Sequence, residues 1–277
     1  VELEARVERH YRHGSLKQAI LGGLIAAGKD PNRLVPADLA PVDEFHIGGR
    51  VATVEFAERL GVKPGMKLLD VGSGLGGASR YFAGELGCDV TGVDLTEEYV
   101  DVADMLAGKV GLQSRVRYLR ASALSLPFAD GAFDGVYMMH VGSNIADKAA
   151  MFREFRRVLA PAGVVGVYDL MRERPGELSY PVPWTTDAST DFLESFEVYA
   201  RALEAAGFAV SAPNSRRAFA LAFFERMRAA AAKNGGAPPP LGLHIVMGAT
   251  AGEKIANMVD NLQRGLISPT EVFARVP

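Results

Sequence analysis

The residues best suited to chemistry lie in one run, Asp70-Val71-Gly72-Ser73-Gly74-Leu75-Gly76-Gly77. Leu68, Leu69 and Val71 read as a buried strand and Ala78 to Ala83 as a helix, so the four glycines form a strand-to-helix turn. Glycine suits a turn whose dihedrals a Cβ resists, and it lets a ligand come close to the backbone. The unpaired amides of the helix start favour a polar or negatively charged ligand group. These features point to a nucleotide-like cofactor. Gly72, Gly74 and Gly77 satisfy both G-x-G-x-x-G and the tighter D-x-G-x-G-x-G, so spacing alone leaves a dinucleotide open. Asp70, two residues before the first glycine, repels a pyrophosphate and attracts a cation.

The order of the following segments narrows the choice. Val90-Thr91-Gly92-Val93-Asp94-Leu95 carries a carboxylate for ribose hydroxyls, and Leu126-Pro127-Phe128 precedes Phe133-Asp134-Gly135-Val136. With Asp70 and the glycine turn, this order resembles the class I S-adenosylmethionine-dependent methyltransferases, small-molecule type, similar to quinone and sarcosine/dimethylglycine methyltransferases, over roughly Val51 to Met171. The resemblance implies an α/β fold, a doubly wound, mostly parallel, seven-stranded Rossmann-like sheet. It also implies an N-terminal helical lid over residues 1–50, a methyltransferase domain over 51–277 and a substrate cap at about 172–195, after the fifth strand. The implied cofactor is S-adenosylmethionine, leaving as S-adenosylhomocysteine, whose sulfonium suits Asp70. The residues that match cofactor positions are Tyr11, Gly49, Asp70, Gly72, Ser73, Gly74, Asp94, Leu95, Ser122, Ala123 and Met139. Where the family commonly has an acid after the third strand to accept from the adenine amino group, this chain has Ala121-Ser122-Ala123, so Ser122 and backbone groups would take that task.

Beyond the fourth strand comes Met139-His140-Val141-Gly142-Ser143-Asn144, and the resemblance implies that the residues after Met139 face the methyl acceptor, which makes His140 and Asn144 the polar candidates there. A histidine titrates near pH ~6.5 when unperturbed, so His140 is suited to take a proton from an oxygen or nitrogen nucleophile or to orient the substrate. Methyl transfer to nitrogen, oxygen or carbon needs no metal, and none is expected. Tyr11 reads either as a lid residue reaching the cofactor or as ordinary helix surface. His46, Gly48 and Gly49 read either as a wall at the methionine end of the cofactor or as an inter-helix turn.

The positioning elements follow from periodicity. Helices are expected over Glu2–Arg12, Leu16–Ala27 with Ser15 as N-cap, and Val51–Leu60 ended by Gly61, with a proline-punctuated connection over Pro31–Pro41. Strands 68–71, 89–93, 116–119, 134–139 and 164–170 then alternate with helices 76–86, 97–110 and 147–159, the pattern of a parallel sheet covered on both faces. Tyr180 and Trp184 lie in a loop after the fifth strand, as pocket walls or as anchors. A helix over 196–206, a strand over 208–211, a helix capped by Ser215, a linker over Asn234–Leu243, a helical run over 243–265 and a closing strand over 271–276 complete the chain.

With 277 residues and 48% hydrophobic content, a sizeable core can form. A net charge of −3 without a basic run argues against nucleic acid as partner, leaving a small-molecule acceptor. Cys88 stands alone, so no intrachain disulfide can form, and no apolar run is long enough for an integral membrane segment. These readings fit a cytoplasmic location; the oligomeric state is not legible. Two rival readings are an NAD(P)-dependent oxidoreductase, which the glycine pattern and Asp94 also fit, and an inactive cofactor-binding regulator.

Overall fold

In the computed structural model, residues 2–233, 235, 236 and 238–277 are described, so the expected 234–243 linker lies partly outside them. Four helices precede the sheet: α1 (Glu2–Tyr11), α2 (Leu16–Ala26), α3 (Pro36–Asp43) and α4 (Gly49–Leu60). Strands β1 (Lys67–Val71), β2 (Asp89–Asp94) and β3 (Val116–Arg120) alternate with α5 (Gly77–Gly84) and α6 (Glu97–Lys109). Next come β4 (Phe133–Met139), a 3-10 turn at Gly142–Asn144, α7 (Lys148–Val158) and β5 (Leu159–Arg172). After a loop come α8 (Phe196–Ala205), β6 (Ala209–Val210), β7 (Asn214–Ser215), α9 (Arg217–Lys233), α10 (His244–Met247), α11 (Ala251–Gln263) and β8 (Ile267–Arg275).

The strands run in the order β3-β2-β1-β4-β5-β8-β6, with β7 also pairing β8, so the sheet has eight strands where seven were expected. The additional pairing arises because the two-residue strands β6 and β7 both hydrogen-bond along β8. From β3 to β5 the pairs are parallel, and β8 runs antiparallel to β5 over its nine residues. The order reverses between β1 and β4, where an open α/β sheet leaves a crevice at the strands' carboxyl ends. Leu69, Val71, Val136, Met138, Val165 and Val167 fill one face of the sheet, against α7 and α8, and Leu68, Tyr137 and Tyr168 fill the other, with Phe56 of α4 and Phe82 of α5.

Three local expectations are corrected. Part of the proline-punctuated connection is a helix, α3, because Pro36 occupies its first turn and the Asp38 carboxylate accepts from the Val35 amide at 3.0 Å. Ser15 makes no side-chain cap for α2; instead Glu98 of α6 accepts from the amides of His13, Gly14 and Leu16 at 2.7, 2.8 and 2.9 Å. That carboxylate satisfies the donors a cap would take and ties the N-terminal helices to the sheet layer. Ser215 belongs to β7 and bonds the Ser268 hydroxyl at 2.7 Å, so it does not cap α9.

The N-terminal helices are seated on the sheet layer by a buried ion pair. Arg80 of α5 donates to Asp43, the last residue of α3, at 2.5 Å, with their side chains 1% and 4% exposed. Removing one partner of such a pair leaves an uncompensated charge in the interior. Asp43→Asn should therefore cost about 3–5 kcal/mol in urea unfolding. Asp43→Leu/Arg80→Met together should recover most of it; a single substitution within experimental error of wild type would refute that role.

Candidate functional site

The crevice between β1 and β4 opens into a cavity of about 980 Å³. Every residue matched to a cofactor or acceptor position lines it: Tyr11, Gly49, Asp70, Gly72, Ser73, Gly74, Asp94, Leu95, Ser122, Ala123, Met139, His140 and Asn144. The β1–α5 turn is built as its glycines require. Gly72, at φ +72°, has room only for hydrogen, since a Cβ would meet the Val141 side chain at 2.4 Å. Gly74, at φ +54°, has open space where its Cβ would be. The turn thus packs against the β4 loop on one side and faces the cavity on the other.

Polar groups ring this cradle. Asp94, at the end of β2, accepts from the amides of Gly74 at 2.9 Å and Thr96 at 2.8 Å, and burial raises its pKa despite these bonds. Ser73 Oγ is buried with no partner. Asp70 accepts from the Ser79 hydroxyl at 2.6 Å, and burial pushes its carboxyl up to about 7. Glu44 is buried beside α4, accepting from Thr53 Oγ1 at 2.7 Å and lying 3.6 Å from His46. A cavity wall this rich in desolvated carboxylates favours a cation.

His140 sits just beyond β4 at φ +58°, a left-handed conformation uncommon for a side chain with a Cβ. Its amide donates to Tyr168 O at 2.7 Å, and its ring packs 4.9 Å from that of Tyr168 and 6.1 Å from that of His46. Nε2 is buried without a partner, and burial, reinforced by His46, holds the imidazole pKa well below its usual value. His46 is similarly depressed, to about 4, by burial. Both rings are therefore neutral at neutral pH. Beneath the turn, Asp169 accepts from Gly142 N, Leu170 N and Tyr199 Oη at 2.8, 2.9 and 2.8 Å, fixing the backbone from which His140 projects.

Asn144 is a junction. Its Oδ1 accepts from Tyr11 Oη at 2.7 Å and its Nδ2 donates to Trp184 O at 2.9 Å, joining helix α1, the β4 loop and the β5 loop. Helix α1 is further held by Glu8 to Arg120 at 3.0 Å, His10 to Pro183 O at 3.0 Å and Glu4 to Ser122. Tyr180 and Trp184 divide their tasks: both bond Asp191, but only Trp184 lines the cavity. The two glycines before α4 also differ, since a Cβ at Gly48 would strike Phe219 of α9 at 2.5 Å, whereas Gly49 is open.

Sequence reasoning missed two contributors. Glu4 lines the cavity and accepts from Ser122, a meeting across 118 residues that no local pattern announces. Phe223, Phe224, Met227, Met247, Ile255 and Met258 of α9, α10 and α11 form an apolar wall. Their spacing reads as the core face of ordinary helices.

A methyltransferase-domain family model matches residues 69–167, which hold the glycine turn, Asp94 and His140. The sheet order and the position of the cavity agree with that match in fold. Over 113 residues the chain is 38% identical to the sterol 24-C-methyltransferase ERG6B of Gibberella zeae, covering 41% of this chain and 30% of that protein. The geranyl diphosphate C-methyltransferase of Streptomyces coelicolor A3(2) superposes with a TM-score of 0.72 at 17% identity, covering 100% of this chain and 99% of that one. The [4+2]-cyclase SpnF superposes with a TM-score of 0.69 at 24% identity, covering 95% and 93%. These likenesses are of fold, and the same fold carries different chemistry. The matched segments make up 25% to 48% of the curated relatives' own lengths.

Among the described residues no helix is long and apolar enough to cross a membrane. The buried carboxylates generate a stability prediction. Asp70 has its folded pKa raised, so the stability it contributes is complete below its ordinary value of 3.8 and is lost as pH rises through about 7. Urea unfolding of the wild type should show stability falling over that window, and Asp70→Asn should fall less steeply. Parallel curves would mean that Asp70 ionises as an ordinary carboxylate.

Proposed function

We propose that this chain transfers a methyl group from S-adenosylmethionine to a small-molecule acceptor, releasing S-adenosylhomocysteine. The observation that carries the reading is that the glycine cradle with Asp94 and the neutral, unpartnered His140 open into one cavity. The residues fit the cofactor: Ser73 Oγ is a buried hydroxyl without a partner, Gly74 leaves open space, and Asp70, Asp94 and Glu44 favour a cationic ligand. In this reading Asp94 takes the ribose hydroxyls, and Gly72, Ser73 and Gly74 approach the ligand through the turn. Tyr11, Gly49, Leu95, Ser122, Ala123 and Met139 complete the binding surface. Bound there, S-adenosylmethionine supplies a methyl group on a sulfonium, open to direct in-line displacement.

The chain's own task is to hold the acceptor in line, exclude water and keep its lone pair free. Burial keeps His140 unprotonated, so it can receive the proton of an acceptor hydroxyl or ammonium. Both polar ends of the Asn144 side chain are engaged by Tyr11 and Trp184, which makes it a positioning residue that keeps the lid closed over the site. A cytoplasmic location belongs to the same reading, supported by a lone, buried cysteine.

Calorimetric titration should show S-adenosylhomocysteine binding that Asp94→Ala weakens by about 10- to 100-fold, the loss expected for charge-assisted hydrogen bonds. A response to NADH alone would make the chain an oxidoreductase instead. With a hydroxyl acceptor, His140→Ala should lower kcat by about 10²–10⁴ while leaving S-adenosylhomocysteine affinity unchanged. Because the free imidazole is the working form and its pKa is depressed, wild-type kcat should be level between about pH 6 and 8. A limb rising through the ordinary histidine range would assign the proton transfer to another group.

A further inference from the structure

We infer that the methyl acceptor is a bulky, largely apolar molecule without phosphate or carboxylate, seated between the β4 loop and the wall formed by α9, α10 and α11. The inference rests on the methyltransferase reading above and specifies its substrate class. Three features of the cavity carry it. The first is size: at about 980 Å³ the cavity stands at the top of the range of about 300–1,000 Å³ typical of pockets for one drug-sized ligand. It has room for a second molecule beside the nucleotide-like one.

The second is the chemistry of the wall. Phe223, Phe224, Met227, Met247, Ile255 and Met258 have side chains of carbon and sulfur alone, and His244 of α10 is the one polar side chain among the described lining residues of these helices. The apolar surface continues to the rim, where Val51, Leu124 and Met227 are 56%, 37% and 41% exposed although each also lines the cavity. Exposed apolar side chains gathered at the mouth of one pocket mark a ligand path, whereas isolated ones carry no such meaning. Methionine adapts its shape to irregular apolar partners, which suits a wall that must close on a ring or a chain.

The third is charge. Glu4, Asp43, Glu44, Asp70, Asp94 and Asp147 all line the cavity, and Arg50 is the one lysine or arginine among its described lining residues. Arg50 is already engaged, 3.4 Å from Glu44, 4.0 Å from Glu85 and 4.3 Å over the Tyr81 ring. On the acceptor side, along α9, α10 and α11, no lysine or arginine is among the described lining residues, so a phosphate or carboxylate there would lose its hydration without gaining such a partner. The upward shift of the carboxyl groups of Asp70 and Asp94 reports the same resistance to buried negative charge. A neutral acceptor, or an amine, meets neither obstacle.

The test uses two pairs of probes matched in shape and opposite in charge: geraniol with geranyl diphosphate, and 2-naphthol with 2-naphthyl phosphate. Each is titrated calorimetrically into the full chain, with and without saturating S-adenosylhomocysteine. The neutral member of at least one pair should bind about tenfold or more tightly than its anionic partner, a difference of about 1.4 kcal/mol. Met227→Lys, on the exposed rim, should narrow that gap by strengthening the anion's binding. Equal or tighter binding of the anions, no binding of either neutral probe, or a gap that Met227→Lys leaves unchanged would overturn the inference. Failure of S-adenosylhomocysteine to bind would instead sink the cofactor reading, since the probe preference is read separately on the chain without it.

Discussion

The site depends on how closely α3 approaches the start of α5. The carbonyl oxygen of Asp43 lies 2.3 Å from where a Cβ on Gly77 would stand, and the Asp43 carboxylate takes the buried Arg80 guanidinium of the same helix. α5 is the helix into which the cofactor turn runs, and Asp43 is followed directly by Glu44, His46 and the Gly48-Gly49 pair. One contact therefore sets the distance between the glycine cradle and the wall that faces it. A buried pair is seldom worth much against an apolar replacement, but each of its charges is strongly bound to its place once the other is present. Here that property serves registration: a segment outside the sheet is held to the sheet's first crossover helix.

The electrostatics of the cavity follow from burial. Asp70 and Asp94 are desolvated and bonded mainly by neutral hydroxyls and amides, so their ionised forms are held at a cost that a cation in the cavity would offset. His46 and His140 feel the same low dielectric with opposite sign and stay neutral. Acidic groups poised to welcome positive charge and imidazoles free of protons are the two complementary results of burial. The left-handed backbone at His140 belongs to the same design, since the Asp169 bonds beneath it over-determine a conformation the residue would not choose alone.

How much of this was legible in the sequence depends on whether a residue's task is local. Gly72 and Gly74 were readable because a strand-to-helix turn is written in consecutive residues, and Asp94 because a strand end is. The alternation of β1 to β5 with α5, α6 and α7 was readable by periodicity, and the ends agree to within a few residues. The cap of α2 was not, because the carboxylate that replaces Ser15 comes from Glu98, 82 to 85 residues away. The short strands β6 and β7 carry two residues each, too few for a period, and exist because β8 offers them an edge. Asn144 was visible as a polar residue near a strand end. Its engagement by Tyr11 of α1 and a tryptophan carbonyl belongs to the assembled structure.

The division between the two halves of the cavity has a physical origin. The half beside the glycine turn is built by strand ends, whose positions a parallel sheet fixes, and it presents backbone amides and carboxylates in set directions. The other half is built by α9 to α11, a segment inserted between β7 and β8 that must bury one face on the core near Leu170 and Ile267 while turning another toward the cavity. Phe224 and Met258 of that segment share a buried cluster with Leu170 of β5 and Ile267 of β8, while the ladder from β5 to β8 is closed by the backbone. One half of the cavity is thus set by strand ends with their amides and carboxylates, and the other by the apolar side chains of three helices outside the sheet.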